Sequence, residues 1–133
     1  MTALRADSAL GEPKAPVLVA DDDPDVRTMV RMLLELDGHA VIEAKDGNAA
    51  LEMIHTHHPS VVVADVQMPG LTGLQLCQKV KAEGLDDPPR VIVYTAGMAT
   101  RADAEKAGCD GFFLKTDPLP SLRDAVRRLV NPL

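Results

Sequence analysis

The chain has 133 residues, a length that suits one domain. Its 20 acidic side chains outnumber the 14 basic ones, and this negative balance disfavours a protein that holds nucleic acid by its phosphates. One Tyr, two Phe and no Trp are too few for a base-stacking platform. A composition that is 46% hydrophobic and 26% charged is typical of a globular chain rather than a disordered one.

The sequence shows no targeting or membrane segment. No apolar run approaches the roughly 20 residues that a membrane helix needs, and residues 1–15 lack the apolar stretch of a secretory signal. We therefore expect a cytoplasmic protein with a flexible leader at residues 1–15 and one domain at residues 16–131. Cys77 and Cys109 are too few for a disulfide framework or a structural zinc site. The alternative of a single disulfide has no particular support in the sequence, so we expect reduced thiols.

Short apolar runs alternate with amphipathic stretches along the chain. The runs predict five strands, at residues 17–20, 41–42, 61–64, 91–94 and 111–114. The stretches predict five helices, which start at Pro24, at Asp46–Gly47, at Gly73, near Ala99 and after Pro118. Strands that are apolar throughout are typical of parallel sheets covered on both faces. The pattern therefore predicts a doubly wound α/β domain.

Polar side chains stand where four of the predicted strands end: Asp21, Asp22 and Asp23 after the first, Asp65 after the third, Thr95 after the fourth and Lys115 after the fifth. Ligand sites in open parallel sheets lie at this edge. Close carboxylates repel one another unless a cation intervenes, and ligands that are all oxygen suit Mg²⁺. With a lysine and a hydroxyl, such a site can stabilise a phosphoryl group in transfer, and one carboxylate can act as its nucleophile.

Four motifs at these strand ends resemble those of the receiver domain of bacterial response regulators. They are Val-Ala-Asp-Asp at 19–22, Val-Ala-Asp-Val-Gln-Met-Pro-Gly at 63–70, Val-Tyr-Thr-Ala at 93–96 and Phe-Phe-Leu-Lys at 112–115. The resemblance covers about residues 16–129 and implies the flavodoxin-like strand order 2-1-3-4-5. It further implies that Asp65 accepts a phosphoryl group from a histidine kinase or a histidine phosphotransfer protein.

The same resemblance implies a role for each site residue. Asp21 and Asp22 would hold Mg²⁺ together with Asp65 and the backbone carbonyl of Gln67. Lys115 would pair with the phosphoryl group.

The resemblance also implies a switch. Thr95 would hydrogen-bond the phosphoryl oxygen, and Phe112, the aromatic at the family's switch position, would move inward behind it. A face made by the fourth helix, fifth strand and fifth helix would then change its affinity for a downstream protein target. Such a module is not an enzyme beyond its own phosphotransfer and dephosphorylation, binds neither nucleic acid nor membrane, and is a monomer or a phosphorylation-dependent homodimer.

Three positions depart from the family pattern or extend it. Thr116 stands where the family usually has Pro after the lysine, so we expect a loop of different shape and no cis bond there. Thr72 replaces a frequent Asp, which we interpret as a surface difference. Asp23 adds a third acid after the first strand, and we interpret it as the cap of the first helix.

The same residues suggest two alternative functions. A phosphatase of the haloacid dehalogenase type would use Asp21 as its nucleophile, with Thr95 and Lys115. The chain has no room for a cap domain and no late acidic pair, and this function would leave Asp65 unused. A flavodoxin-like flavin protein would need a phosphate-cradling loop after the first strand, where three acids stand instead.

The histidines and the length of the chain are less informative. His55, His57 and His58 suggest a metal site, but their place at a helix C-terminus explains them as well. Residues after the last predicted helix are few, so the chain is either a stand-alone receiver or a fragment of a longer regulator.

Overall fold

The computed structural model describes residues 15–131. Strands and helices alternate along them: β1 (Val17–Ala20), α1 (Pro24–Leu36), β2 (Val41–Ala44), α2 (Gly47–His57), β3 (Val61–Ala64), α3 (Gly73–Ala82), β4 (Arg90–Thr95), α4 (Arg101–Ala107), β5 (Gly111–Leu114) and α5 (Leu119–Val130). The strands form one parallel sheet in the order β2-β1-β3-β4-β5. The predicted doubly wound sheet and its strand order are confirmed.

The sheet separates two apolar layers. Leu18 and Ala20 of β1 point into a core shared with α2 and α3, whereas Val17 and Val19 point into a core shared with α1 and α5. Because successive side chains of a strand point to opposite faces, a strand with helices on both sides must be apolar at every position. This explains why β1 and β3 are continuous apolar runs that are buried throughout.

Local contacts fix the loops that carry the polar side chains. The Asp23 carboxylate accepts the N–H groups of Asp25 (2.9 Å) and Val26 (3.4 Å), which confirms it as the cap of α1. Gly73 begins α3 directly against the end of β3. A Cβ at that position would lie 2.3 Å from the Asp65 carbonyl oxygen, so only glycine permits this approach.

Some element boundaries differ from the predicted ones. β2 continues to Ala44, because its register with β1 extends two residues beyond the apolar pair. β4 includes Thr95, and α4 begins at Arg101 because the Thr100 hydroxyl accepts the Asp103 N–H and caps the helix. Thr72 likewise caps α3 in a capping box with Gln75.

The predicted leader at residues 1–15 lies outside the described residues except for Ala15, and the predicted domain at residues 16–131 stays a prediction. Within residues 15–131, no helix has both the length and the apolar character needed to cross a membrane. The described peptide bonds contain no cis bond, as expected for the bond between Lys115 and Thr116.

Candidate functional site

The sheet brings three carboxylates together at its carboxyl edge. Oxygens of Asp21, Asp22 and Asp65 lie within 4.8 Å of one another. Asp21 and Asp65 are 3% and 7% exposed, whereas Asp22 faces solvent. The register of β1 with β3 pairs Ala20 with Ala64, so the two strands end level and place the acids that follow side by side. The predicted acidic cluster is therefore present, and its donors fit a hard divalent cation.

Lys115 reaches this cluster from the end of β5. Its Nζ lies 3.0 Å from Asp21 Oδ2 and 3.1 Å from Asp65 Oδ2. Burial opposes the charge of this ammonium, but the two carboxylates outweigh it and raise the pKa of Lys115 above its ordinary value. For Asp21 the balance is reversed: burial raises the pKa of its carboxyl, although the Asp23 N–H and Lys115 favour the charged form. One ammonium thus contacts two buried acids, Asp21 and Asp65.

Gln67 lies beside the same carboxylate. Its N–H donates to Asp65 Oδ1 at 3.3 Å. The role of its backbone carbonyl as a metal ligand stays a prediction.

Thr95 and Phe112 lie behind the carboxylates. Thr95 is completely buried, and within residues 15–131 its Oγ1 has no hydrogen-bond partner. It therefore caps no helix; the cap of α4 is Thr100. Phe112 is buried, only 8% exposed, and packs with Val66 and Ala104.

Three residues near the site were not found by sequence reasoning. Arg27 of α1 donates to the Asp21 carbonyl oxygen at 2.9 Å and pairs with Glu43 of β2, also at 2.9 Å. The guanidinium of Arg101 stands over the Phe112 ring, 5.4 Å from its centroid. Asp117 accepts the Leu114 N–H in the turn that follows β5. The charged Glu43 in an otherwise apolar strand could have indicated the role of Arg27. Arg101 and Asp117 make contacts that no local sequence pattern indicates.

The histidines do not form a second site. His55 pairs with Glu83, its Nε2 lying 2.9 Å from the carboxylate. In the part of the chain that the structure describes, the only group of three or more potential metal ligands is the one formed by Asp21, Asp22 and Asp65. A metal role for His55, His57 and His58 therefore has no support.

Comparison with known proteins agrees with this geometry. The pattern of the response regulator receiver domain matches residues 17–127. Response regulator MprA of Mycolicibacterium vanbaalenii is 36% identical over 115 residues, which are 86% of this chain and 50% of that protein. MprA of Mycobacterium ulcerans is 37% identical over 115 residues, which again are 86% of this chain and 50% of that protein. The chain thus spans about half the length of these curated relatives.

Solved structures give the same result. The receiver domain of the Francisella response regulator 1452 superposes with a TM-score of 0.81 at 29% identity, covering 90% of this chain and 98% of that one. The chemotaxis protein CheY4 of Vibrio cholerae gives a TM-score of 0.77 at 25% identity, covering 88% and 99%. These matches favour the receiver interpretation over the phosphatase alternative. The chain belongs to the response regulator receiver domain family.

Proposed function

We propose that this receiver domain accepts a phosphoryl group on Asp65 from the phosphohistidine of a histidine kinase or a histidine phosphotransfer protein. The observation that carries the proposal is the setting of the Asp65 carboxylate. It is nearly buried, it is held by Lys115 at 3.1 Å, and it lies within 4.8 Å of two further carboxylates, Asp21 and Asp22.

The transfer needs a nucleophile and a counter-charge, and the site offers both. One Asp65 oxygen attacks the phosphorus while the phosphorus–nitrogen bond breaks. The electron pair of that bond leaves with the imidazole nitrogen, and the product is an acyl phosphate. Lys115 exchanges part of its contact with Asp65 for the phosphoryl oxygens. Mg²⁺ held by the three carboxylates and the Gln67 backbone carbonyl would supply further positive charge to those oxygens.

The Thr95 hydroxyl connects the phosphoryl group to the rest of the domain. Since its oxygen lacks a partner within residues 15–131, a phosphoryl oxygen on Asp65 would give it a hydrogen bond that these residues do not offer in the unmodified chain. We expected Phe112 to move inward on phosphorylation, but the ring is buried already, so phosphorylation would stabilise an inward state that is accessible without it. Couplings of this kind are typically about 1–3 kcal/mol.

The proposed output is a protein contact on the face formed by α4, β5 and α5. Arg101 and Phe112 link the start of α4 to β5 across this face. Its partner in the proposal is a downstream protein, and sedimentation of the phosphorylated chain alone tests for a homodimer. A cytoplasmic location, where the donor phosphohistidine is made, belongs to the same proposal.

Phosphorylation is tested with acetyl phosphate and Mg²⁺, followed by intact mass and peptide mapping. We expect one phosphoryl group on Asp65 and none in Asp65→Asn, while the matched control Asp87→Asn, an exposed acid remote from the site, retains normal uptake. Normal uptake by Asp65→Asn at Asp21 would contradict the proposal and support the phosphatase mechanism. Absence of uptake in the wild-type chain with any phosphorylated donor would also contradict it.

A further inference from the structure

The turn that carries Lys115 is closed by one acidic residue. The Asp117 N–H donates to the Leu114 carbonyl oxygen at 2.9 Å, and the Leu114 N–H donates to Asp117 Oδ2 at 2.8 Å. The backbone and the side chain of Asp117 thus both hold Leu114. Lys115 and Thr116 lie between the two bonded residues.

The position of Leu114 in the sheet explains why its N–H needs this carboxylate. The next N–H, that of Lys115, points into the sheet and donates to the Thr95 carbonyl oxygen of β4 at 2.7 Å. Successive N–H groups of a strand point to opposite sides, so the Leu114 N–H points away from β4. β5 is the last strand of the described sheet, and no further strand receives that N–H. Asp117 supplies the missing acceptor.

The backbone of the turn determines where the lysine ammonium lies. Lys115 Nζ must reach Asp21 Oδ2 and Asp65 Oδ2 together, at 3.0 and 3.1 Å. Because residue 116 is threonine and not proline, its φ angle is not restricted by a proline ring. Apart from the Lys115 N–H bond to Thr95, the described hydrogen bonds that close this turn are the two between Leu114 and Asp117. The carboxylate of Asp117 is not among the groups that meet at the acidic cluster.

We propose that Asp117 is a positioning residue for Lys115: its carboxylate fixes the turn at residues 114–117 so that the ammonium reaches both site carboxylates. The inference rests on the proposed function, because Lys115 assists phosphoryl transfer only if Asp65 accepts the phosphoryl group. In this proposal the Asp117 side chain, which lies outside the site, restricts the loop in place of a proline after the lysine.

The test compares rates of Asp65 phosphorylation by acetyl phosphate in Mg²⁺. Asp117→Ala should react about tenfold more slowly, since small misplacements of a catalytic group are costly. Asp117→Asn should recover most of the rate, because its amide oxygen can still accept the Leu114 N–H. In a Lys115→Ala background, Asp117→Ala should cause no further loss, as expected for two residues that act through one group.

The control is Asp110→Ala. Asp110 also accepts a strand N–H, that of Val91 at 2.8 Å, but at the opposite end of the sheet. It should leave the rate unchanged even where it lowers the melting temperature, which is measured for every variant. Equal rates in Asp117→Ala and the wild type would overturn the inference. So would an Asp117→Asn variant as slow as Asp117→Ala, or full additivity with Lys115→Ala.

A readout without phosphate separates this inference from the proposed function. Hydrogen exchange of the Leu114 amide and the ¹⁵Nζ signal of Lys115, followed by NMR, should both show loss of protection in Asp117→Ala and retention in Asp117→Asn. If the wild-type chain takes up no phosphoryl group but Asp117→Ala still shows these NMR changes, the proposed function is refuted and the positioning role stands. Unchanged signals in Asp117→Ala refute the positioning role alone.

Discussion

At the scale of single residues, Thr95 stands out because folding removes its hydroxyl from water without giving it a partner among the described residues. Burying an unpaired hydroxyl costs about 1–3 kcal/mol. A hydroxyl at this point therefore lowers stability in the unmodified chain. In the proposed function its partner is the phosphoryl group, so the cost is relieved only in the phosphorylated state.

Thr95→Val replaces this hydroxyl with a methyl group of similar size. We expect the variant to be at least as stable as the wild type, by up to about 1 kcal/mol, because it buries no unpaired polar atom. Urea unfolding at pH 7 measures this. Thr95→Ser is the matched control, which keeps the hydroxyl and loses the methyl group, and it should be less stable than either. A loss of more than about 1 kcal/mol in Thr95→Val would show that the hydroxyl is hydrogen-bonded in the folded chain.

The sequence predicts the site residues unevenly. Asp21, Asp65 and Lys115 could be placed because the strand-end rule requires only the strand period and a parallel sheet. Arg27 and Asp117 could not, because a long or flexible polar side chain finds its partner from the final geometry of neighbouring loops. The burial of Phe112 is similar: the strand pattern places it on β5, but its burial depends on packing against Val66 and against Ala104 of α4.

At the scale of elements, the continuous apolar runs predict the strands well because both faces of this sheet are covered. The strand β2 shows the limit of that signal. It lies at the sheet edge, its first three residues are only partly buried, and it carries Glu43, so its apolar pattern ends before its hydrogen-bonded register does. The start of a helix is predicted correctly where a short polar cap stands directly before the apolar pattern, as Asp23 does at α1. The predicted start of α4 is about two residues too early, because Ala99 and Thr100 precede the helix.

The helices α1 and α5 are joined by an ion-pair cluster that no local pattern indicates. Asp37, the residue after α1, lies 2.8 Å from Arg123 Nη2 and 3.1 Å from Arg127 Nη2. Its carboxylate is 8% exposed, whereas the Arg123 and Arg127 side chains are 41% and 51% exposed. The hydrogen bond from Arg123, assisted by Arg127, lowers the pKa of Asp37. The pair connects the end of α1 to the middle of α5 across 86 residues of chain.

The lowered pKa of Asp37 predicts a pH-dependent contribution to stability. The unfolded carboxyl binds its proton at higher pH than the folded one, so acid favours unfolding. At pH 7 the wild type should have a higher urea midpoint than Asp37→Asn. The difference between the two midpoints should shrink as the pH falls below 3.8, the ordinary pKa of an aspartate carboxyl. Asp124→Asn is the control, since that carboxylate is 56% exposed and lies 3.8 Å from Arg127. A gap that persists unchanged in acid would contradict the assignment.

At the scale of the whole molecule, the formal net charge of -6 has a specific distribution. Two of the most buried charged groups, Asp21 and Asp65, stand at one edge of the sheet with Asp22, and only Lys115 among the described cations pairs with them. The site therefore carries an excess of negative charge before any ligand binds. The negative balance that disfavours nucleic-acid phosphates thus has part of its origin in three carboxylates whose donors fit a divalent cation.

This excess predicts that Mg²⁺ stabilises the fold. A ligand that binds only the folded chain adds about 1.4 kcal/mol to the free energy of unfolding at ten times its dissociation constant, which raises the melting temperature of a domain of this size by roughly 5 °C.

Asp22→Asn should lose most of this rise in melting temperature, whereas Asp87→Asn should keep it. Lys115→Ala should show a larger rise than the wild type, because the ammonium that lies between Asp21 and Asp65 competes with the cation for the same oxygens. Calorimetry with Mg²⁺ against an equal ionic strength of NaCl measures each change. Equal midpoints in both salts would rule out a magnesium site at these carboxylates.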